Sequence, residues 1–453
     1  MTRERGIAAQ IVVATTGNIA IPVAAFASAP ILARVLGVEE RGVVAAGTAP
    51  LLLAISALTL GIPEAVTYFV SKNGPNRAAV LKAVQITCLA ALLGMILLGV
   101  IATAVTPEVQ LFILMLVASS ALAPALIVGV LRAYAGGLGL WTVISWERFI
   151  GAVARLFAIL LLACSGQLTV FTGTIAISTT TFVGGFAYIG LAKRRLLVVR
   201  EAGSTNRADL LAFGLRLWPG ALAGILLSRL DQTLMIGLTK TSELGIYAVS
   251  VSVSEVTLVF NSAVRDVMFA RESRQGSPDR LMRAARISTV GTLMASVCAG
   301  VLSIWMLPIL FGEEFRNSVF VAEILLLGIV AGNPGSIAGA GLSARGRPSL
   351  RSLSLVIALC VNVAAVVVLV PPLGAVGAAV ATAVGNFIAG TLNIFWLRRY
   401  YGFSALGFVV PNLSDLLAVR AVVRRVVGPA GGLRRSAFCG MLSSMNSERR
   451  QGK

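Results

Sequence analysis

The chain has 453 residues, of which 57% are hydrophobic and 13% charged, with a formal charge of +19 and a mean hydropathy of +0.89. A soluble domain does not tolerate that much apolar surface, so the sequence predicts an all-α polytopic membrane protein. There is no histidine, and Cys88, Cys164, Cys298, Cys360 and Cys439 are scattered without a CxxC pair, which disfavours a zinc or haem site and a disulfide framework.

Apolar runs long enough to cross a ~30 Å hydrocarbon core follow one another from Ile7 to Leu397. They divide into twelve expected spans: 7–33, 43–70, 79–104, 109–133, 142–164, 168–192, 210–238, 244–267, 287–311, 318–343, 350–371 and 375–397. The first continues too far for a cleaved signal peptide and is read as a span. Positive charge alternates between gaps. Lys72, Arg77 and Lys82 fall in one, Lys193, Arg194, Arg195, Arg200 and Arg207 in another, and Arg345, Arg347 and Arg351 in a third, whereas "VTPE", "CSGQ" and "VPPLG" carry none. The positive-inside rule then places both termini in the cytoplasm and explains the basic charge without a nucleic-acid partner. No external gap is long enough to house acidic catalytic residues.

The longest internal gap, "KRRLLVVREAGSTNRAD", divides the chain into an N-terminal six-helix lobe (1–195), a cytoplasmic linker (196–209), a C-terminal six-helix lobe (210–400) and a basic cytoplasmic tail (401–453). Weak repetition supports a duplication. Glu40, Gly42 and Ala45 match Glu243, Gly245 and Ala248 at an offset of 203 residues, and Leu131 and Ala133 match Leu342 and Ala344 at 211. Six spans return the chain to its starting side, so the repeats would be parallel, about an axis along the membrane normal. In the tail, "NLSDLLAVRAVVRRVVGP" has helix start and stop signals and a valine stripe opposite three arginines, which suits a helix lying on an anionic leaflet.

"SRLDQTLMIGLTKTSELGIYAVSVSVSE", "LPILFGEEF", "SARGRPSLRSLSLVIALCVNV" and "LVPPLGAVGAAVATAVGNFI" resemble, in order, the C-terminal half of Wzx-like bacterial polysaccharide flippases, within the multidrug/oligosaccharidyl-lipid/polysaccharide exporter superfamily. "ILARVLGVEERG" and "GIPEAVTYFVSK" resemble the corresponding N-terminal segments. The resemblance implies two lobes around a central cavity in the bacterial cytoplasmic membrane, moving an isoprenoid-linked glycan by alternating access for cell-surface polysaccharide synthesis. Expected partners are the lipid-linked glycan, membrane lipids and glycan-synthesis machinery. No cofactor is implied beyond H+ or Na+ coupling. The alternatives are a cation-coupled multidrug exporter of the same superfamily, a membrane glycan polymerase or ligase, and a non-transporting scaffold.

Ionisable residues within spans are costly and tend to face a cavity or a partner. Arg155 lies ~20 Å along span five from its cytoplasmic end, and Arg148, seven residues earlier, shares nearly the same face. The two would form a basic stripe. With Arg216 and Arg229 they are the candidate cavity cations, since the guanidinium fork suits a pyrophosphate and keeps its charge when desolvated. Glu255, Asp231 and Glu64 are candidates for ion coupling or gating. Arg229 and Asp231 differ by about 200° around a helix, so each needs its own partner, and counting from Leu210 puts them at the cavity's outer rim. Arg132 is read as a topology determinant near the interface. Gly377, Ala381 and Gly385 recur every four residues on span twelve and predict close helix packing.

Overall fold

The computed structural model describes residues 2–105, 109–189, 206–272 and 277–410. Most of the expected linker and the expected tail helix lie outside them. Every element among the described residues is helical: α1 Thr2–Ala57, α2 Ile62–Asn73, α3 Arg77–Val105, α4 Val109–Ser119, α5 Leu122–Gly137, α6 Trp141–Cys164, α7 Val170–Val183, α8 Arg207–Leu238, α9 Thr241–Glu272, α10 Pro278–Phe311, α11 Ser318–Ala344, α12 Pro348–Tyr401 and α13 Leu406–Val409. Short 3₁₀ turns follow α7 and α10.

Eight helical stretches are long and apolar enough to cross a membrane, making this a multi-pass membrane protein. Two of them, Ala20–Asn73 and Pro348–Tyr401, contain 54 residues each. A straight helix of that length would run ~80 Å, against a ~30 Å core. Each is broken by a glycine in a conformation other residues avoid: Gly37 at φ 77° in α1, and Gly374 at φ 55° in α12. The backbone N–H after each break donates to a carboxylate. Val38 N–H donates to Glu314 Oε2 at 3.2 Å, and Ala375 N–H to Glu243 Oε2 at 2.8 Å. α6 and α9 are also long enough to cross, and with them each of the twelve expected runs falls, over its described residues, mainly on a helical stretch.

Small residues set the packing. Gly328, Gly332 and Gly335 on α11 lie against Ala383, Asn386 and Gly390 on α12 so closely that a Cβ at Gly335 would sit 1.9 Å from Gly390 Cα. Gly377 is equally tight, its Cβ position 2.2 Å from the Leu369 carbonyl, and Gly385 meets Leu227 and Asn362, as the four-residue spacing predicts. The packed body continues past the expected boundary at 400. Phe403 and Phe408 are buried against Leu281 and Ala285 of α10.

Residues 2–189 and 206–410 meet at the end of the bundle that carries the turns at 37–41, 239–240 and 312–317. A Cβ on Gly42 would sit 1.7 Å from the Thr241 carbonyl oxygen, and one on Gly245 would sit 2.3 Å from that of Val38. Gly42 and Gly245 are the pair matched at offset 203, and Val38 and Thr241 stand at the same offset. The two contacts therefore exchange under the same two-fold operation. Arg34 adds a clasp, its guanidinium donating to the Ile309 and Leu310 carbonyls at the C-terminal end of α10, where free carbonyls favour a cation. At the opposite end α2 and α3 meet the second half through α8.

Candidate functional site

Two cavities carry the charged residues. The first, about 780 Å³, is built where α1 gives way to α2. Leu60 and Gly61 adopt positive φ there, a Cβ at Gly61 would sit 2.2 Å from the Gly214 carbonyl, and Trp218 Nε1 donates to the otherwise uncapped Ala57 carbonyl at 2.7 Å. Helix α2 then restarts with Pro63, and Glu64 occupies its first turn, where the helix dipole favours a carboxylate. Glu64 is exposed and lines the cavity together with Arg132, Arg148, Tyr68 and Phe213, the last two rings stacked at 4.5 Å.

Arg132 is engaged. Its Nε and Nη2 each donate to Glu147 at 2.8 Å, one bond to each carboxylate oxygen, and Tyr188 Oη donates to Glu147 Oε2 at 3.1 Å. The Glu147 side chain is 5% exposed and that of Arg132 37%, so the carboxylate is sealed in protein while the guanidinium reaches the cavity wall. Arg148 has no ion-pair partner among the described residues, leaving it as the available cation of this cavity.

The second cavity, about 540 Å³, lies among α8, α9, α11 and α12. Arg229 Nη2 pairs with Glu255 Oε1 at 2.6 Å, both side chains partly exposed, and both line the cavity. Asp231 is 2% exposed. It accepts from the Tyr247 hydroxyl, from Thr382 Oγ1 at 2.9 Å and from the Gln232 backbone N–H at 2.7 Å. Asn261 and Ser336 also line this cavity, and with Asn333, Ser288 and Thr289 they form a side-chain hydrogen-bond network linking α9, α10 and α11.

Arg155, on α6, is close enough to Glu255 and Arg229 to interact with both charges, and its Nε is buried without an acceptor. Arg41 is 7% exposed, its Nε also lacks an acceptor, and Arg155 is its charged neighbour. Arg41, Arg155 and Arg229 thus follow one another as charged neighbours where the two halves meet, with Glu255 paired to Arg229.

The placement of the expected residues is mixed. Arg229 and Asp231 have separate partners, as their angular separation requires, but both line a cavity wall. Arg148 and Arg155 do not act as one stripe. Seven residues separate them by ~10 Å along the axis, enough for Arg148 to face the first cavity while Arg155 reaches the second half. Arg216 is exposed and lines neither cavity. In the sequence Arg41 is one of the few charges of an external gap, Arg132 a topology charge near the interface, and the asparagines carry no pattern of their own. Glu147, fifteen residues after Arg132 across a turn, was the available signal for that pair.

A family model described as polysaccharide biosynthesis protein matches residues 7–269. A probable low-salt glycan biosynthesis flippase, Agl15 of Haloferax volcanii, is 25% identical over 219 residues, and this match covers 46% of each chain, so it spans about half the length of that relative. Among solved structures, the MATE multidrug transporter DinF-BH superposes with a TM-score of 0.62 over 88% of this chain and 96% of its own, at 13% identity. The lipid II flippase MurJ, in an inward closed conformation, superposes with a TM-score of 0.63 over 90% of this chain and 92% of its own, also at 13% identity. These likenesses establish a shared fold. With more than half of its length matched by the family model, the chain belongs to the polysaccharide biosynthesis protein family.

Proposed function

We propose that the protein flips an isoprenoid-pyrophosphate-linked oligosaccharide, or a related glycolipid, across the bacterial cytoplasmic membrane for cell-surface polysaccharide synthesis. Its two halves, each of six spans, would alternate access to the cavities, with both termini on the cytoplasmic side. The observation that carries this reading is the run of neighbouring arginines Arg41, Arg155 and Arg229, whose last member pairs with Glu255 in the wall of the second cavity. Arg41 and Arg155 have no ion-pair partner among the described residues, and a pyrophosphate would supply a counter-charge through bidentate hydrogen bonds. The family match and the name of the Haloferax relative support a glycan-bearing substrate.

Arg148 and Arg132 at the first cavity offer a second cationic station, and Arg216 remains a weaker candidate on the exposed face of α8. Glu255, Asp231 and Glu64 are the groups through which H+ or Na+ would drive the cycle. A cation-coupled drug exporter would place free carboxylates in the second cavity, whereas Glu255 and Asp231 are both engaged there.

The test is reconstitution. Purified protein in proteoliposomes is expected to move a fluorescent polyprenyl-pyrophosphate glycan between leaflets, and Arg155→Ala to slow that movement at least about ten-fold, the loss of one charge-assisted contact. Unchanged flipping by Arg155→Ala would remove that residue from the site. Export of an organic dye cation without glycan movement would instead identify a drug exporter.

A further inference from the structure

At the end of the bundle opposite Gly42, where α11 turns into α12 and α12 finishes, arginines and aromatic rings interleave. The Arg347 guanidinium carbon lies 4.5 Å from the centre of the Tyr400 ring and 6.0 Å from that of Tyr401. Arg345 lies 4.9 Å from Phe403 and 5.8 Å from Tyr401, and Arg399 lies 5.9 Å from Tyr400. A guanidinium stacked on a ring is held flat with its N–H edge directed outward, so the stacking orients the donors without consuming them. Arg347, Arg398 and Arg399 are exposed, and none of the three has a carboxylate partner among the described residues.

The surroundings select the ligand. Leu406, Val409 and Val410 on and beside α13 are 71%, 55% and 52% exposed, and Phe395, one turn inside α12, is 49% exposed. Helix α13 is held against α10 by buried Phe408 and by Arg286 Nη1 donating to the Gly407 carbonyl at 2.6 Å, so these apolar side chains form a fixed rim. A basic edge, tyrosines and an adjoining apolar rim in one band match a membrane interface. A soluble phosphate would have no use for the rim.

We propose that the Arg347–Arg398–Arg399 corner is a binding site for the headgroup of an acidic phospholipid, with Arg347 and Arg399 donating to its phosphate and the rim around α13 receiving its acyl chains. The site is separate from both cavities and does not depend on the transported substrate.

The experiment follows lipid retention on the full chain. Protein is extracted from membranes of equal phosphatidylglycerol and phosphatidylcholine content with matched acyl chains, and retained lipid is measured by native mass spectrometry and by the thermal shift each lipid confers. Wild type should retain phosphatidylglycerol preferentially. Each arginine near a membrane surface contributes about five-fold, so Arg347→Gln with Arg399→Gln should cut that preference by roughly 25-fold. Arg347→Lys, which keeps the charge but loses the stacked fork, should fall between. Arg316→Gln, an exposed arginine at the opposite end, should change nothing. Equal retention of the two lipids by wild type, or an unchanged preference in the double variant, would overturn the proposal. So would displacement of the lipid by millimolar inorganic phosphate, since the site would then be one for a soluble anion.

Discussion

Arg229 Nη2 and Glu255 Oε1 lie 2.6 Å apart across the α8–α9 boundary, and Arg155 of the first half interacts with both. The bridge is one edge of a cluster in which positive charge exceeds negative, so its worth lies in holding like charges together. Glu255→Ala would take from Arg229 its ion-pair partner and from Arg155 its carboxylate neighbour. Both partners of the bridge are partly exposed, and the expected loss is about 1 to 2 kcal/mol, below the ~3 to 5 kcal/mol of a sealed pair. Thermal melts in detergent measure it, and Glu255→Ala with Arg229→Gln should recover part of the loss.

The Arg132–Glu147 pair should behave differently because its carboxylate is sealed. Arg132→Ala is expected to cost ~3 to 5 kcal/mol by stranding a buried charge, whereas Tyr188→Phe removes one hydrogen bond and should cost ~1 kcal/mol. Arg132→Lys keeps the charge but not the two-pronged geometry, and should fall between. A melt series that ranked Tyr188→Phe above Arg132→Ala would contradict this assignment.

Asp231→Ala leaves the fully buried Tyr247 hydroxyl and Thr382 Oγ1, 3.2 Å apart, with one acceptor fewer between them. A loss of about 2 to 3 kcal/mol is expected, and Asp231→Asn, which retains one acceptor oxygen, should lose less. Comparing both melts with and without added Na+ separates a structural carboxylate from an ion-binding one. Only the latter would make the wild-type melting temperature rise with Na+ and the Asp231→Ala temperature insensitive to it.

The helices were legible because hydropathy and length report directly on the need to satisfy backbone groups in hydrocarbon. Gly37 and Gly374 fell at expected gaps for the same reason. The break at Leu58–Gly61 was hidden: it interrupts an apolar run without adding charge, and it exists because α8 packs its Gly214 into the gap. The site was read less well. Depth along a helix measures distance to water and says nothing of a partner on the next helix, so the Arg132–Glu147 and Arg229–Glu255 pairs leave no mark on the hydropathy profile. Asn261 and Asn333 left almost no trace, because an uncharged amide barely perturbs the hydropathy of a span.

Gly42→Val should force the closed end apart, since its Cβ has backbone on the far side and no flexible side chain to push away. Spin labels at exposed Glu39 and Arg316, on a background with the native cysteines replaced, should report a longer distance in this variant than in wild type. Gly245→Val should produce a similar change.

That equivalence reaches into the origin of the architecture. Val38 meets Gly245 as Thr241 meets Gly42, which is the pattern of an isologous interface between identical subunits, each using the same patch against its own copy. The contact is what a half-length chain would form by pairing with itself, now carried within one polypeptide. At this contact the two parts of the chain meet as like surfaces, and the glycine pair is the seam between them.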